Sequence, residues 1–356
     1  MASSAVILST AAYLPPQKLT IEDFVRMGAQ RTLVEKWGVF EHRVAEGETA
    51  TDMEAKAGLL ALERAGLKPE EVDLIIGTTT LAEKINPPNV MLTQYKIGAS
   101  NAGVFQVDLS CGGAIPAMMV ADSFIKSGMY SKILLVASCC VQRVMDPTDQ
   151  ASFAVMGDGA SAVVIGTADE NTGFLSANLQ SGGGFWHYSG VETRSPKYPE
   201  RTNDPSQKLY FYIDFEESKG CNAFNRYVVQ SVPACASRLL EEQGLAIGDI
   251  DWVISHQNIN PIFGSWFRQL RVPVYKTILT NAKYGNIGAA NIWVNLDEGA
   301  RLQKFKNGDL ILMMGQGSGF AVGSMLMRWS SRANCGWFSS NRRQDSANAD
   351  SIPVPL

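Results

Sequence analysis

No Cys-x-x-Cys pair occurs in the chain, and its six cysteines (Cys111, Cys139, Cys140, Cys221, Cys235, Cys335) follow no regular spacing. That excludes a zinc ribbon and a disulfide framework. Histidine is scarce, limited to His42, His187 and His256. Charged residues make up only 19% and the formal net charge is −4, so the chain is not built to coat nucleic acid. No run approaches the roughly 18 apolar residues of a membrane span. The segment Met1 to Pro16 has no basic n-region, and its apolar run Ala5 to Leu8 is too short for a signal core. A reducing cytoplasm is the expected location.

What is present is a large core. Hydrophobic residues reach 46% of 356 residues, enough for two domains or one large duplicated fold. Short apolar runs read as buried strands: Val72 to Thr80, Gly103 to Leu109, Lys132 to Ala137, Ala160 to Ile165, Ile250 to Ile254 and Asp309 to Met314. Helical patterns fit between them at Thr51 to Ala65, Gly113 to Ser127, Asn222 to Gln243 and Ala289 to Gln303. Such alternation predicts a layered α/β architecture.

A faint repeat runs through the pattern. Gly66-Leu-Lys-Pro-Glu-Glu-Val-Asp-Leu-Ile-Ile76 resembles Gly244-Leu-Ala-Ile-Gly-Asp-Ile-Asp-Trp-Val-Ile254, an offset of 178 residues from Gly66 to Gly244. The same offset lays Ile133-Leu134 on Ile311-Leu312, strand on strand, and Cys111 on Ala289, close to Asn286. A duplicated fold brings equivalent loops together near its pseudo-two-fold axis, so the Cys111 and Asn286 loops are expected to face each other. The halves are read as 1–172 and 173–330. A Gly-, Pro- and aromatic-rich insertion at 181–220 interrupts the second half, and loops of that length usually cover a site or move. The polar tail 331–356 is expected to be disordered or loosely docked.

Cys111 lies in Asp108-Leu-Ser-Cys-Gly-Gly113, between a strand and a helix. At a helix N-terminus the dipole and the unpaired N–H groups favour a thiolate, so a lowered pKa is expected. The plain alternative is a small buried hydrophobe. His256 ends the strand Ile250 to Ile254, where open α/β sheets place their sites, yet a structural histidine fits there equally. His42, flanked by Glu41 and Arg43, reads as a surface residue. Asn286, in Tyr284-Gly-Asn-Ile-Gly-Ala-Ala290, fits a turn or cap as readily as a site. Gly315-Gln-Gly-Ser-Gly-Phe320 has the wrong spacing for a dinucleotide loop but could offer backbone N–H groups to an oxyanion. Gly157-Asp-Gly-Ala160 reads as a structural turn.

Taken in order, Ala12-Tyr-Leu-Pro15, Asp108-Leu-Ser-Cys-Gly-Gly113, Asp146-Pro-Thr-Asp149, Gly157-Asp-Gly-Ala160, His256-Gln257, Tyr284 to Ala290 and Gly317-Ser-Gly-Phe320 resemble the β-ketoacyl-acyl carrier protein synthase III family of the thiolase superfamily. The resemblance spans about Val6 to Trp329. It implies an α/β fold, a duplicated five-layer αβαβα thiolase-like sandwich, usually a homodimer. It implies that Cys111 takes an acyl group from a thioester and that a malonyl-type thioester then condenses with loss of CO2. His256 and Asn286 would hold the enolate oxygen, and the backbone N–H groups of Cys111 and Ser318 would form a second oxyanion hole. Asn86, Met156, Asn258 and Phe320 are the expected substrate contacts. Coenzyme A or acyl carrier protein thioesters would be substrates, with no permanent cofactor, no metal, and no nucleic-acid or membrane partner.

Departures from the family pattern bear on specificity. A tryptophan and an arginine that clamp the coenzyme A adenine in the family's fatty-acid members correspond here to Thr32 and Gln150, with Trp37 out of register. A basic residue for carrier-protein binding corresponds to Pro261, leaving only Arg268 nearby, and an aromatic gate corresponds to Asn86. These point to a changed donor or acceptor in a specialised pathway such as polyketide biosynthesis. Two other readings stand beside condensation: acyl transfer to oxygen or nitrogen on the same fold, and a non-catalytic partner subunit. An amide at position 286 donates without titrating, which favours carbon–carbon bond formation.

Overall fold

The apolar stretch near the N-terminus, outside the six predicted strands, is itself a strand, β1 (Ala5–Tyr13). The computed structural model describes residues 5–84, 86–146, 149–167, 172–192, 210–213 and 222–335. After β1 come β2 (Lys18–Thr20), α1 (Ile21–Arg26), α2 (Arg31–Trp37) and β3 (Glu41–Arg43), with β2 and β3 paired as a small ribbon. Next is α3 (Ala50–Ala65), opened by a Thr49–Asp52 capping box and closed by Gly66 at φ 67°. The half continues with β4 (Leu74–Thr79), α4 (Asn89–Ile97), β5 (Gly103–Gln106), α5 (Ala114–Lys126), β6 (Ile133–Cys139), α6 (Gln150–Val155) and β7 (Gly159–Thr167).

The second half runs through β8 (Gly173–Ser181), β9 (Ser189–Glu192), β10 (Tyr210–Ile213), α7 (Asn222–Glu242), β11 (Trp252–Ser255), α8 (Asn260–Leu270), α9 (Asn281–Tyr284), α10 (Asn291–Arg301), β12 (Leu310–Gly317), β13 (Ala321–Arg328) and α11 (Arg332–Cys335). The six predicted strands and four predicted helices all appear, with ends shifted by a few residues. Most of the insertion, 193–209 and 214–220, and the tail beyond Cys335 lie outside the described residues.

The two main sheets repeat one topology. The first has the order β1-β7-β6-β4-β5 and the second β8-β13-β12-β11 when read from the same side. In each, the inner pair is parallel and the next two pairings are antiparallel. Even the register repeats: Leu74 faces Ile133 in the first half, and Trp252 faces Ile311 in the second, both displaced by the offset read from the sequence. Where β5 flanks β4, the second half has only a single parallel bridge between Val253 and Thr277 beside β11.

Burial assigns the layers. Helix α10 is buried on nearly every face and α5 through its first turns, and the two share one core with the inner faces of both sheets (Ile115, Met118, Trp293 and Leu296 against Ile76, Leu135, Ile311 and Met325). Helices α3 and α4 cover the outer face of the first sheet, and α7 and α8 that of the second. The result is a five-layer sandwich in the order helices, sheet, helices, sheet, helices. Among the described residues no helix is long and apolar enough to cross a membrane.

Candidate active site

The nucleophile candidate sits on a tight turn. Cys111 occupies a 3₁₀ turn, Ser110–Gly112, directly before α5. Ser110 is held at φ 48°, a left-handed conformation that a non-glycine residue adopts only when its surroundings enforce it. The enforcing partner is the loop after β12. A Cβ built on Gly317 would lie 2.3 Å from Gly112 N and 2.5 Å from Leu109 O. The two backbones, one from each half, are thus in direct contact, and only glycine fits there.

Cys111 is buried, at 6% exposure. Burial pushes its thiol pKa up, against the pull of the Ser110 and Thr80 hydroxyls and its own backbone N–H. This corrects the expectation of a lowered pKa. The helix N-terminus is there, but the loss of water around the sulfur outweighs it. Thr80 also accepts from Ala289 N at 2.9 Å, which joins the sulfur's surroundings to the Asn286 segment.

His256 extends β11 by one residue, its N–H donating to Met314 O at 2.9 Å. Asn286 is fixed through its backbone: its N–H donates to Val155 O at 2.8 Å and its carbonyl accepts from Gly157 N at 3.0 Å. The side chains then meet. Gly288 N–H donates to Asn286 Oδ1 at 3.0 Å, and His256 Nε2 lies 3.0 Å from the same oxygen. Because the Gly288 amide can only donate, the atom it faces is the amide oxygen. His256 therefore carries its proton on Nε2, and the Nδ2 protons of Asn286 remain for a ligand. Burial drives the His256 pKa down to about 4, so the ring is neutral at neutral pH.

A polar lattice behind these groups holds them still. Gln257 Oε1 accepts from Thr280 N and Asn281 N at 2.8 and 3.1 Å, and Asn291 Oδ1 accepts from Gln257 N at 2.9 Å. Asn295 Nδ2 donates to Ser255 O at 2.8 Å. These asparagines sit on α10 inside the central layer, where each polar atom must find a partner.

Cys111, His256 and Asn286 line one cavity of about 170 Å³. Asn258, Phe320 and Ser318 line it as well. Two expected contacts fall elsewhere. Met156 is fully buried and outside the lining; its backbone bridges Asn286, and its neighbour Val155 faces the cavity instead. Asn86 is exposed in the loop between β4 and α4 and is not part of the wall. The insertion reaches the site through Ser189 and Phe211, and Phe224, Val228 and Ile262 add an apolar flank. Pattern reading missed Gln316 and Thr80. Gln316 was visible as the one long polar side chain in Met313-Met-Gly-Gln-Gly-Ser318.

Other readings change too. His42 is fully buried against the Phe24 and Phe153 rings, and burial lowers its pKa to about 3. Its charged neighbours point away while its own side chain points in. Asp158, in the turn read as structural, accepts from Ala45 N, Val141 N and Gln142 N and so ties three loops together. Thr32 is exposed, Trp37 is buried, and the Gln150 side chain lies outside the described residues. Among the described residues no cluster of metal-ligating side chains occurs.

Five layers, two superposable sheet topologies and a cysteine, histidine and asparagine meeting between them define a member of the thiolase superfamily. The sequence profile of 3-oxoacyl-[acyl-carrier-protein (ACP)] synthase III matches residues 105–183, and its C-terminal profile matches 240–329. The chain is 33% identical over 330 residues to the β-ketoacyl-[acyl-carrier-protein] synthase III of Xanthomonas campestris, covering 91% of this chain and 98% of that one. The Syntrophomonas wolfei enzyme of the same name is 32% identical over 326 residues, covering 91% and 97%. Among solved structures, 3-oxoacyl-[acyl-carrier-protein] synthase III from Aquifex aeolicus superposes with a TM-score of 0.82 at 29% identity, covering 91% of this chain and all of that one. The priming β-ketosynthase of the R1128 polyketide pathway gives 0.83 at 25% identity, covering 92% and 97%. The chain belongs to the 3-oxoacyl-[acyl-carrier-protein] synthase III family.

Proposed function

We propose that the chain is a condensing acyltransferase that loads an acyl group on Cys111 and joins it to a malonyl-type thioester. The carrying observation is the convergence of a sulfur, a neutral imidazole and a free amide donor on one cavity with an apolar flank. The Cys111 sulfur attacks the thioester carbonyl, the carrier leaves as a thiol, and the backbone N–H groups of Cys111 and Ser318 receive the oxyanion. In the second half-reaction the malonyl C–CO₂ bond breaks with release of CO₂, the new C–C bond forms at the acyl carbon, and the acyl C–S bond to Cys111 breaks, the sulfur leaving as a thiolate that takes up a proton to restore the thiol. Charge gathers on the malonyl thioester oxygen. Asn286 Nδ2–H and His256 Nε2–H, shared with Asn286 Oδ1, donate to it. One such donor contributes about 3–4 kcal/mol to the transition state. Among the described residues no Lys or Arg lines the cavity, so a carboxylate entering it finds no counter-charge on that wall, which favours loss of CO₂.

Resemblance to a polyketide priming synthase and the absence of the adenine-clamping pair support a specialised pathway. A homodimer is part of the proposal, because β5 is an open sheet edge flanked by α4, whose Tyr95 is 81% exposed.

The test is intact-protein mass spectrometry after incubation with a panel of acyl thioesters, followed by malonyl thioester, amines or alcohols. A mass gain that Cys111→Ala abolishes, discharged by malonyl thioester with release of CO₂, is expected. Discharge by an amine or alcohol alone would replace condensation with acyl transfer to nitrogen or oxygen. No label from any thioester would favour a non-catalytic partner.

A further inference from the structure

Strand β12 alternates cleanly. Leu310, Leu312 and Met314 point into the core shared with α7 and α8. Gln316 is next in that row, opposite Val322 of the same core. A leucine or methionine would complete the stripe; a carboxamide ends it instead, at the wall of the cavity. Gln316 is 4% exposed, and its Oε1 has no hydrogen-bond partner among the described residues. Buried polar atoms without a partner are rare in folded proteins, and this one belongs to a residue of the cavity wall.

Its position is tied to the nucleophile. A Cβ built on Gly112 would lie 3.5 Å from the Gln316 carbonyl carbon, so the residue is held against the Cys111 turn. Ser189 Oγ and Ser318 Oγ, 3.0 Å apart, add a second polar point on the same wall. Among the described residues no Asp, Glu, Lys or Arg lines the cavity, so the group complementary to this wall is neutral.

We propose that Gln316 is a specificity-determining residue whose carboxamide takes a neutral hydrogen-bond donor, O–H or N–H, carried by the bound thioester near its reacting carbonyl. The inference rests on acyl transfer at Cys111. Two parts of a thioester can supply that donor. One is a hydroxyl on the acyl chain, which can pair with either end of the carboxamide. The other is an amide N–H on the thiol arm.

Two matched pairs separate these sources. S-(3-hydroxybutyryl)- and S-butyryl-N-acetylcysteamine differ only in the acyl hydroxyl. S-butyryl-N-acetylcysteamine and S-(4-oxopentyl) thiobutyrate differ only in N–H against CH₂. Rates of Cys111 acylation are read by intact mass. The wild-type chain is expected to favour the donor-bearing member of one pair by about 10- to 100-fold. Gln316→Met, nearly equal in size, is expected to bring that ratio to near one. No preference in either pair by the wild-type chain overturns the proposal, as does a preference that survives in the Met variant. Such a site would hold only water. If no thioester acylates Cys111, the reaction proposed above falls. The Gln316 contact is then read from equilibrium binding of the matching thioethers, where equal affinities within each pair overturn it.

Discussion

At Cys111 two physical effects oppose each other. The start of α5 favours a thiolate, and removal of water favours a thiol; burial at 6% exposure makes the second larger. His256 is neutral and bonded to Asn286, so it offers the sulfur no counter-charge. Alkylation of Cys111 by iodoacetamide is therefore expected to climb steadily from pH 6 to beyond the ordinary thiol range of about 8.5, with no plateau near neutrality. A plateau below pH 7 would mean an imidazolium–thiolate pair and would refute the neutral assignment. At this scale the three main candidates were legible because each sits where a strand or turn meets a helix. The buried state of His42 was not, since flanking charges say nothing about which way the ring points.

At the scale of elements, Glu54 on α3 shows what packing does to a residue that reads as helix surface. It is fully buried between α4 and β6, accepting from Thr93 Oγ1 and from Ser138 Oγ at 2.5 Å. Burial, opposed by those hydroxyls, raises its pKa to about 7. Unfolded, the carboxyl ionises near 4.3, so between about pH 4.3 and 7 the unfolded chain releases a proton that the folded one keeps. Glu54's contribution to stability is complete below that window and is lost as pH rises through 7. Glu54→Gln is thus expected to gain on the wild type by about 3 kcal/mol between pH 4 and 8 in urea unfolding. Parallel pH profiles would contradict it. The missed strands β1 and β13 and helix α4 share a cause. Their apolar residues are mixed with Ser, Thr, Gly or Asn, which blurs the period, and tertiary burial supplies the order instead. Helix α8 is different: Ile262, Phe263, Trp266, Phe267 and Leu270 keep helical spacing and were legible.

For the whole molecule, the two halves are joined by polar as well as apolar contacts. Arg64 of α3 pairs with Asp297 of α10 at 3.0 Å, and Thr10 Oγ1 donates to the same carboxylate at 2.7 Å. The open edge of β5 and the exposed Met91 and Tyr95 of α4 leave one flank of the first half uncovered. Sedimentation equilibrium is expected to give twice the 38.7 kDa chain mass, and Tyr95→Glu to move the population toward single chains. A wild-type chain that stays single at tens of micromolar would dismiss the homodimer.

The duplication was readable in the sequence because strand spacing survives divergence: the 178-residue offset reappears as identical register in β4–β6 and β11–β12. Cys111, His256 and Asn286 stood out as candidates, each with a structural alternative, and the structure brings the three to one cavity. Only the tertiary structure decided the protonation states at Cys111 and His256, the exclusion of Asn86 and Met156 from the cavity, and the place of Gln316 in its wall. Those depend on which distant backbone comes to rest against each side chain and how much water it displaces, and neighbours along the chain do not carry that information.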